Sequence, residues 1–206
     1  MSGLRLLSTL LALTLLVGCA GTDRMDAPVN AAWEQRQQVL NQLQEWSIQG
    51  SLHVRDNQDS QSARIRWWQQ QEEFQVNLWG TFNIGATEIS GTAERVTVIQ
   101  AGEPPFISEE PEMLFYDQLG FELPIHYLHY WIKGAPFPGM AAELTFGELN
   151  QVSSLNQNGW QVQYLAYTNY GLASLPTRIR LSKSPLRLDL VRLNWTLTET
   201  GDDSDE

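Results

Sequence analysis

From Trp46 onward the chain keeps a two-residue rhythm, which constrains its fold more than any other feature. In Trp46–Arg55 the apolar set Trp46, Ile48, Leu52 and Val54 alternates with Ser47, Gln49, Ser51, His53 and Arg55. Ala63, Ile65 and Trp67 alternate with Arg64, Arg66 and Trp68, and Phe74, Val76 and Leu78 with Gln75 and Asn77. Successive side chains of a strand point to opposite faces, so each run reads as a strand with one buried and one solvated face. Asp56–Ser60 and Gln69–Glu72 supply turns between them. Further strands are expected at Ala86–Gly91 and Glu94–Gln100, which makes an antiparallel meander.

The rhythm is interrupted once. Ser108 is placed to cap a helix with Glu109, Glu110 and Pro111 in its first turn, running to Leu119 and stopped by Gly120. Pro124 opens a second helix, Pro124–Lys133, with Ile125, Leu128 and Ile132 on one side. Strands then resume. Asn158-Gly159 is a hairpin turn signal joining Gln151–Gln157 to a strand with Trp160, Val162 and Tyr164 on one face. Ile179 and Leu181 alternate with Arg178 and Arg180. In the last segment Leu186, Leu188 and Leu190 are in phase, and Val191, Leu193, Trp195 and Leu197 are in the opposite phase. That slip at Leu190-Val191 predicts a β-bulge.

Ahead of the strands, Trp33, Val39, Leu40 and Leu43 recur among Glu and Gln at the spacing of an amphipathic helix of about three to four turns. The order is helix, strands, two helices, strands: mainly β with α. So many short strands curl into a barrel or half-barrel instead of staying flat, with the interlude helices over one mouth or inside. Such a barrel either fills its interior or leaves a cavity suited to an apolar ligand. The expected lining is Trp46, Ile48, Leu52, Ile65, Trp67, Phe74, Val76 and Leu78, with Trp160 and Val162 from the far side.

The N-terminus points to export. Arg5 precedes the apolar run Leu6–Val17, which is short for a transmembrane helix of about 20 residues and suits a signal-peptide core. It ends in Leu16-Val17-Gly18-Cys19, which resembles the lipobox of bacterial lipoprotein precursors. That implies cleavage before Cys19 and lipid on its thiol. Cys19 is the only cysteine, and unmodified it would be a lone thiol in an oxidising compartment. One acyl chain binds a membrane marginally, whereas two or three hold a protein there. Ala20, where enterobacteria-like sorting uses Asp to retain lipoproteins in the inner membrane, points to the outer membrane. The expected organisation is residues 1–18 as signal peptide, 19–31 as lipidated N-terminus and flexible tether, 32–198 as the barrel domain, and 199–206 as an acidic disordered tail.

Removing Met1–Gly18 takes away Arg5, one of 13 basic residues, against 24 acidic ones. So acidic a chain is poorly suited to nucleic acid, whose phosphates need Lys and Arg. Catalysis has no good candidate: there is no Gly-x-Ser-x-Gly elbow, no phosphate-cradling Gly-rich loop and no pair of carboxylates flanking a substrate position. His126 and His129 stand at i and i+3, a spacing two metal ligands could use, but no third ligand is evident, and Tyr127, Tyr130 and Trp131 around them suggest a packing surface. Neither a metal nor a cofactor is expected. The segment Trp79-Gly80-Thr81-Phe82-Asn83-Ile84-Gly85 joins two strands and carries Phe82 and Ile84 where turn chemistry favours polar residues. They either fold back onto the core or form an exposed apolar tip that marks a partner or membrane contact.

At this point the chain resembles the LolB family. The features are the lipobox Cys19, Trp33, Trp46-x-x-x-Gly50, Ala63-x-Ile65-x-Trp67-Trp68-Gln69-Gln70 and Asn83-Ile84-Gly85-Ala86-Thr87-Glu88. They continue with Leu123-Pro124, Trp131-Ile132-x-Gly134-x-Pro136, Gly159-Trp160-x-Val162, Leu175-Pro176, Leu188 and Leu193-Asn194-Trp195. Order and spacing carry the resemblance; the acidic tail lies outside it. It implies a half-open antiparallel β-barrel of about 10–11 strands with a helical lid. In this family an apolar cavity takes the acyl chains of lipoprotein cargo from LolA, a soluble periplasmic carrier, and passes them to the outer-membrane bilayer. An exposed apolar residue on the loop at Asn83-Ile84-Gly85 serves insertion; here that position is Ile84, and Phe82 either shares the task or props the loop. The protein is then a monomer facing the periplasm, with no covalent catalysis. A lipid-binding or scaffolding outer-membrane lipoprotein of the same fold is the alternative.

Overall fold

Each alternating run is a strand. The structure, a computed structural model, describes residues 26–81, 86–110, 124–171 and 173–198. Helix α1 (Asp26–Gln42) leads into β1 (Glu45–Arg55), β2 (Ser60–Gln70), β3 (Glu73–Thr81), β4 (Ala86–Gly91), β5 (Val96–Gln100) and β6 (Phe106–Ser108). Helix α2 (Ile125–Trp131) follows, then β7 (Glu143–Phe146), a single 3-10 turn at Glu148–Asn150, β8 (Val152–Gln157), β9 (Trp160–Asn169), β10 (Ser174–Lys183) and β11 (Leu186–Leu197). Burial follows the period of two: in β2, Ala63, Ile65, Trp67 and Gln69 are buried between exposed neighbours.

All these strands form one antiparallel sheet in the order β6-β5-β4-β3-β2-β1-β11-β10-β9-β8-β7. Its edges β6 and β7 are not paired to each other, so the barrel is half-open. The first and last long strands, β1 and β11, meet at its centre. Two meanders are thereby joined along one seam, and α2 lies in the connection between their free edges.

The seam contains the bulge. Gln49 pairs with Asn194 and Ser51 with Val191, so Gly50 alone faces Arg192 and Leu193. Arg192 takes the left-handed conformation at φ 54° and donates from Nη2 to Ser51 Oγ at 3.1 Å. A Cβ on Gly50 would lie 2.8 Å from Leu193 Cδ2 and 2.9 Å from the Val191 carbonyl, so only glycine admits the extra residue. The phase changes later than the apolar pattern indicates. Val191 stays on the outer face, paired with Ser51 and Arg178, and Leu193 and Trp195 are the first side chains of the new inward set. The β8–β9 hairpin turns through Asn158 and Gly159, both at positive φ, as their type I′ pattern requires.

Three other differences have simple causes. α1 begins at Asp26, inside the segment expected to be a tether. Pro28 falls in its first turn, where the absent N–H leaves no helical bond unmade. Strands β6 and β7 span three and four residues, too few for a period of two to register. Ser108 ends β6, and its Oγ accepts the Glu110 N–H at 2.9 Å; the expected helix from there to Leu119 lies largely outside the described residues. The signal peptide, Cys19, the Phe82–Ile84 tip and the acidic tail also lie outside them.

Helix α1 packs over the β7–β10 half. Leu40 and Leu43 are buried, the Trp33 ring meets Phe146 edge-on at 5.5 Å, and Arg36 Nη2 donates to the Ser174 carbonyl at 2.6 Å. Its guanidinium lies 5.4 Å from the centre of the Tyr167 ring, and burial lowers its pKa.

Candidate functional site

The concave face of the sheet is mainly apolar because the inward phase of the long strands is apolar, with Gln69 of β2 an exception. Where its two halves meet under α2, a cavity of about 50 Å³ remains. Leu52, Ile65, Trp67, Val76, Leu78 and Ile89 line it from β1 to β4, Leu181, Leu188 and Leu190 from β10 and β11, and Ile125 and Leu128 from α2.

Five of the residues read from the sequence as cavity lining, Leu52, Ile65, Trp67, Val76 and Leu78, are therefore brought together. Phe74 sits instead on a neighbouring groove. Trp46, Ile48, Trp160 and Val162 line neither space, being closed off in packed core. Trp46 is sandwiched by Trp67 at 5.3 Å and Trp195 at 5.1 Å between ring centres, and Trp160 lies 6.3 Å from Trp131. Correct phase places a side chain on the inner face, but what packs against it there decides between wall and filling. Ile89, Leu181, Leu188 and Leu190 show the same alternation, and Ile125 and Leu128 share one face of α2. These were the signals available for the wall residues the sequence did not single out.

Helix α2 is held at one end. The Trp131 indole N–H donates to Gln157 Oε1 at 2.8 Å, and its carbonyl accepts from the Tyr164 hydroxyl at 2.8 Å. Gln157, 3% exposed, also accepts the Phe137 N–H and donates to the carbonyls of Phe137 and Met140. Lys133 Nζ donates to the Leu43 carbonyl at 3.2 Å. At the other end Ile125 and Leu128 meet the sheet through apolar side chains alone. A short helix pinned at its C-terminal end over an apolar cavity has the mechanics of a lid.

Beside the cavity lies a larger groove of about 650 Å³ with a mixed polar and apolar lining, bordered by α1, the β2–β3 and β4–β5 turns and α2. Trp67 and Ile125 border both spaces. His129 faces the groove, stacks on Tyr130 at 4.9 Å and lies edge-on to Trp46 at 6.3 Å. Burial first, then the charge of Lys133, lowers the His129 pKa to about 4, so it is neutral at physiological pH. Among the described residues no three His, Cys, Asp or Glu side chains are grouped to hold a metal ion.

The outer face differs in character. Trp79, near the end of β3, is 44% exposed and pairs across the strands with Arg64; Trp68, on the same face, is also exposed. Strand β3 ends at Thr81, and Phe82 and Ile84 follow it in sequence outside the described residues.

The family model described as outer membrane lipoprotein LolB matches residues 44–195 of this chain. The chain belongs to the LolB family. The LolB of Stutzerimonas stutzeri (strain A1501) is 36% identical over 200 residues, covering 95% of this chain and 97% of that protein. The LolB of Pseudomonas aeruginosa (strain LESB58) is 33% identical over 202 residues, covering 96% and 98%. Among solved structures, a LolA superfamily protein from Nitrosomonas europaea aligns with a TM-score of 0.52 at 11% identity, covering 84% of this chain and 95% of that one. A putative outer membrane lipoprotein-sorting protein domain from Vibrio parahaemolyticus gives 0.52 at 8% identity, covering 84% and 93%. At such identities the likeness concerns the fold alone. No helix among the described residues of this LolB-family chain is long and apolar enough to cross a membrane.

Proposed function

We propose that this protein takes the acyl chains of outer-membrane lipoproteins from a LolA-like periplasmic carrier into the cavity under α2, then releases them into the outer-membrane bilayer. The observation that carries this reading is the wall itself: eleven apolar side chains from both halves of the sheet and from α2 face one space. The names of its relatives and the lipobox around Cys19 support the same reading. The lipid on Cys19 holds the protein, acting as a monomer, beside the membrane it serves.

At about 50 Å³ the cavity is far below the roughly 300–1,000 Å³ of ligand pockets. Uptake therefore requires α2 to lift, and its fastening supports a hinge at Trp131–Lys133 with Ile125 and Leu128 swinging away. Rewetting of those two side chains opposes opening, and burial of acyl methylenes, at about 0.8 kcal/mol each, offsets it. Release needs no nucleotide where the bilayer is the deeper apolar sink.

Ile84, with Phe82, is assigned the membrane contact. Trp79, half-exposed three residues before Phe82, supports this, because indole rings favour the membrane–water interface. Burying one such aliphatic side chain in lipid gains roughly 1.5–3 kcal/mol, suited to transient contact. The narrowness of the cavity is the one observation favouring a scaffolding lipoprotein. The two readings separate in a transfer assay with a fluorescent lipoprotein loaded on its carrier. Movement to vesicles only when this protein is present supports the receptor, whereas no acyl uptake supports the scaffold.

A further inference from the structure

Lys133 is 1% exposed, and no carboxylate among the described residues pairs with it. Lysine is almost never buried so fully without a partner, because desolvating its charge is expensive. Of its three N–H donors, one reaches the Leu43 carbonyl, and the ammonium lies 5.6 Å from the centre of the Tyr130 ring. Burial lowers its pKa to about 8, which leaves it mostly charged at neutral pH.

The groove that Lys133 borders carries side-chain amides at Gln37, Asn41, Gln44, Gln69 and Gln71 among aromatic and apolar residues such as Trp67, Phe74 and Phe137. Glu72 and Glu94 at the same groove disfavour a phosphate. A buried cation with N–H donors to spare, amides beside it and no strong positive field suit a neutral ligand rich in carbonyl oxygens. Because the groove and the apolar cavity share Trp67 and Ile125, one amphiphile can occupy both, tail in one and head in the other.

We propose that Lys133 and the groove it borders receive the polar head of the acylated ligand, namely the ester and amide carbonyls that join acyl chains to the N-terminal cysteine of a lipoprotein. This rests on the acyl-binding reading above. Lys133 donates its remaining N–H bonds to those carbonyls, so that the chains enter the cavity with their head in a defined orientation.

The test uses the lipid-anchored mature chain in neutral nanodiscs and reads quenching of tryptophan fluorescence by bromine-labelled acyl chains. One probe is a triacylated cysteinyl peptide, and the other is its analogue with ether linkages in place of the two esters, which removes the ester carbonyls without adding a charge. Wild type should bind the ester probe about tenfold more tightly. Lys133→Met should reduce that ratio to near one while binding of the ether probe is kept. Lys133→Gln, which keeps a neutral donor, should retain part of the preference and serves if the methionine variant does not fold. A ratio unchanged in both variants, or equal loss of both probes in each, overturns the proposal in favour of a purely structural lysine. Tighter, Lys133-dependent binding of brominated phosphatidylglycerol overturns it in favour of a phosphate site. If wild type binds neither acyl probe, the acyl-binding reading itself fails. If it binds both equally, only the head-group assignment does.

Discussion

The indole N–H of Trp131 meets Gln157 Oε1 at 2.8 Å, so the last turn of α2 is fastened to the final residue of β8. The same amide holds the backbone of Phe137 and Met140, and it is the residue just before the Asn158-Gly159 turn. Gln157→Leu would leave the Trp131 and Phe137 N–H groups buried and unpaired, at about 1–3 kcal/mol each. A loss of roughly 2–4 kcal/mol in urea unfolding is expected. A loss below about 0.5 kcal/mol would mean that α2 is not fastened there.

His129 makes stability depend on pH. Its pKa is about 4 in the folded protein against an ordinary 6.5, so the unfolded chain binds more protons between those values. Stability is therefore intact above pH 6.5 and falls as pH drops toward 4, by up to about 3 kcal/mol at 1.36 kcal/mol per unit. Asp189 loses stability only lower down: burial opposes its charge, but hydrogen bonds from Arg180 and Arg187 outweigh this and hold its pKa below the usual value. Chemical denaturation of wild type and His129→Phe at pH 7, 5.5 and 4.5 separates the two. The phenylalanine variant should lose most of the slope above pH 4.5.

Truncations should distinguish lid from filling. Leu128 is 6% exposed and covers the cavity, whereas Leu175 is fully buried away from it. Leu175→Ala should cost about 3–5 kcal/mol, as in a closed core, and Leu128→Ala about 2 kcal/mol or less. Only Leu128→Ala should speed uptake of a fluorescent acyl probe. Equal destabilisation without faster uptake would count against α2 as a lid.

The loop and the anchor are tested together. Ile84→Glu should leave folding and acceptance from the carrier intact while release into vesicles fails, since a carboxylate resists entering hydrocarbon. Ile84→Leu should be nearly silent. Cys19→Ser should separate the domain from membranes without a change in its melting temperature. Unfolding caused by Ile84→Glu would make Ile84 a core residue.

Strand content was legible because alternation is a local property: β2 and β3 follow from Ala63–Trp67 and Phe74–Leu78 with no knowledge of neighbours. Strands of three or four residues leave no such record, and β6 and β7 were accordingly missed. The bulge was detectable as a phase slip, but its place was not. Val191 is as apolar as the leucines around it, and the contact between Gly50 and Leu193 that positions the extra residue lies between strands more than 130 residues apart in sequence.

The sequence by itself determined which side chains of the long strands face inward, Val191 apart, the order of the longer strands, and the lipobox motif of a LolB-family protein, because each depends on spacing along the chain. Only the tertiary structure decided which inward residues bound a space. Leu52 and Ile48 share a strand and a phase, yet Leu52 borders the cavity under α2 while Ile48 lies in closed core. It also decided that Lys133, two residues past the end of α2, is buried against the Leu43 carbonyl instead of reaching water. Periodicity records direction relative to the sheet. Burial depends on what the rest of the chain brings opposite, and that is settled by packing at a distance.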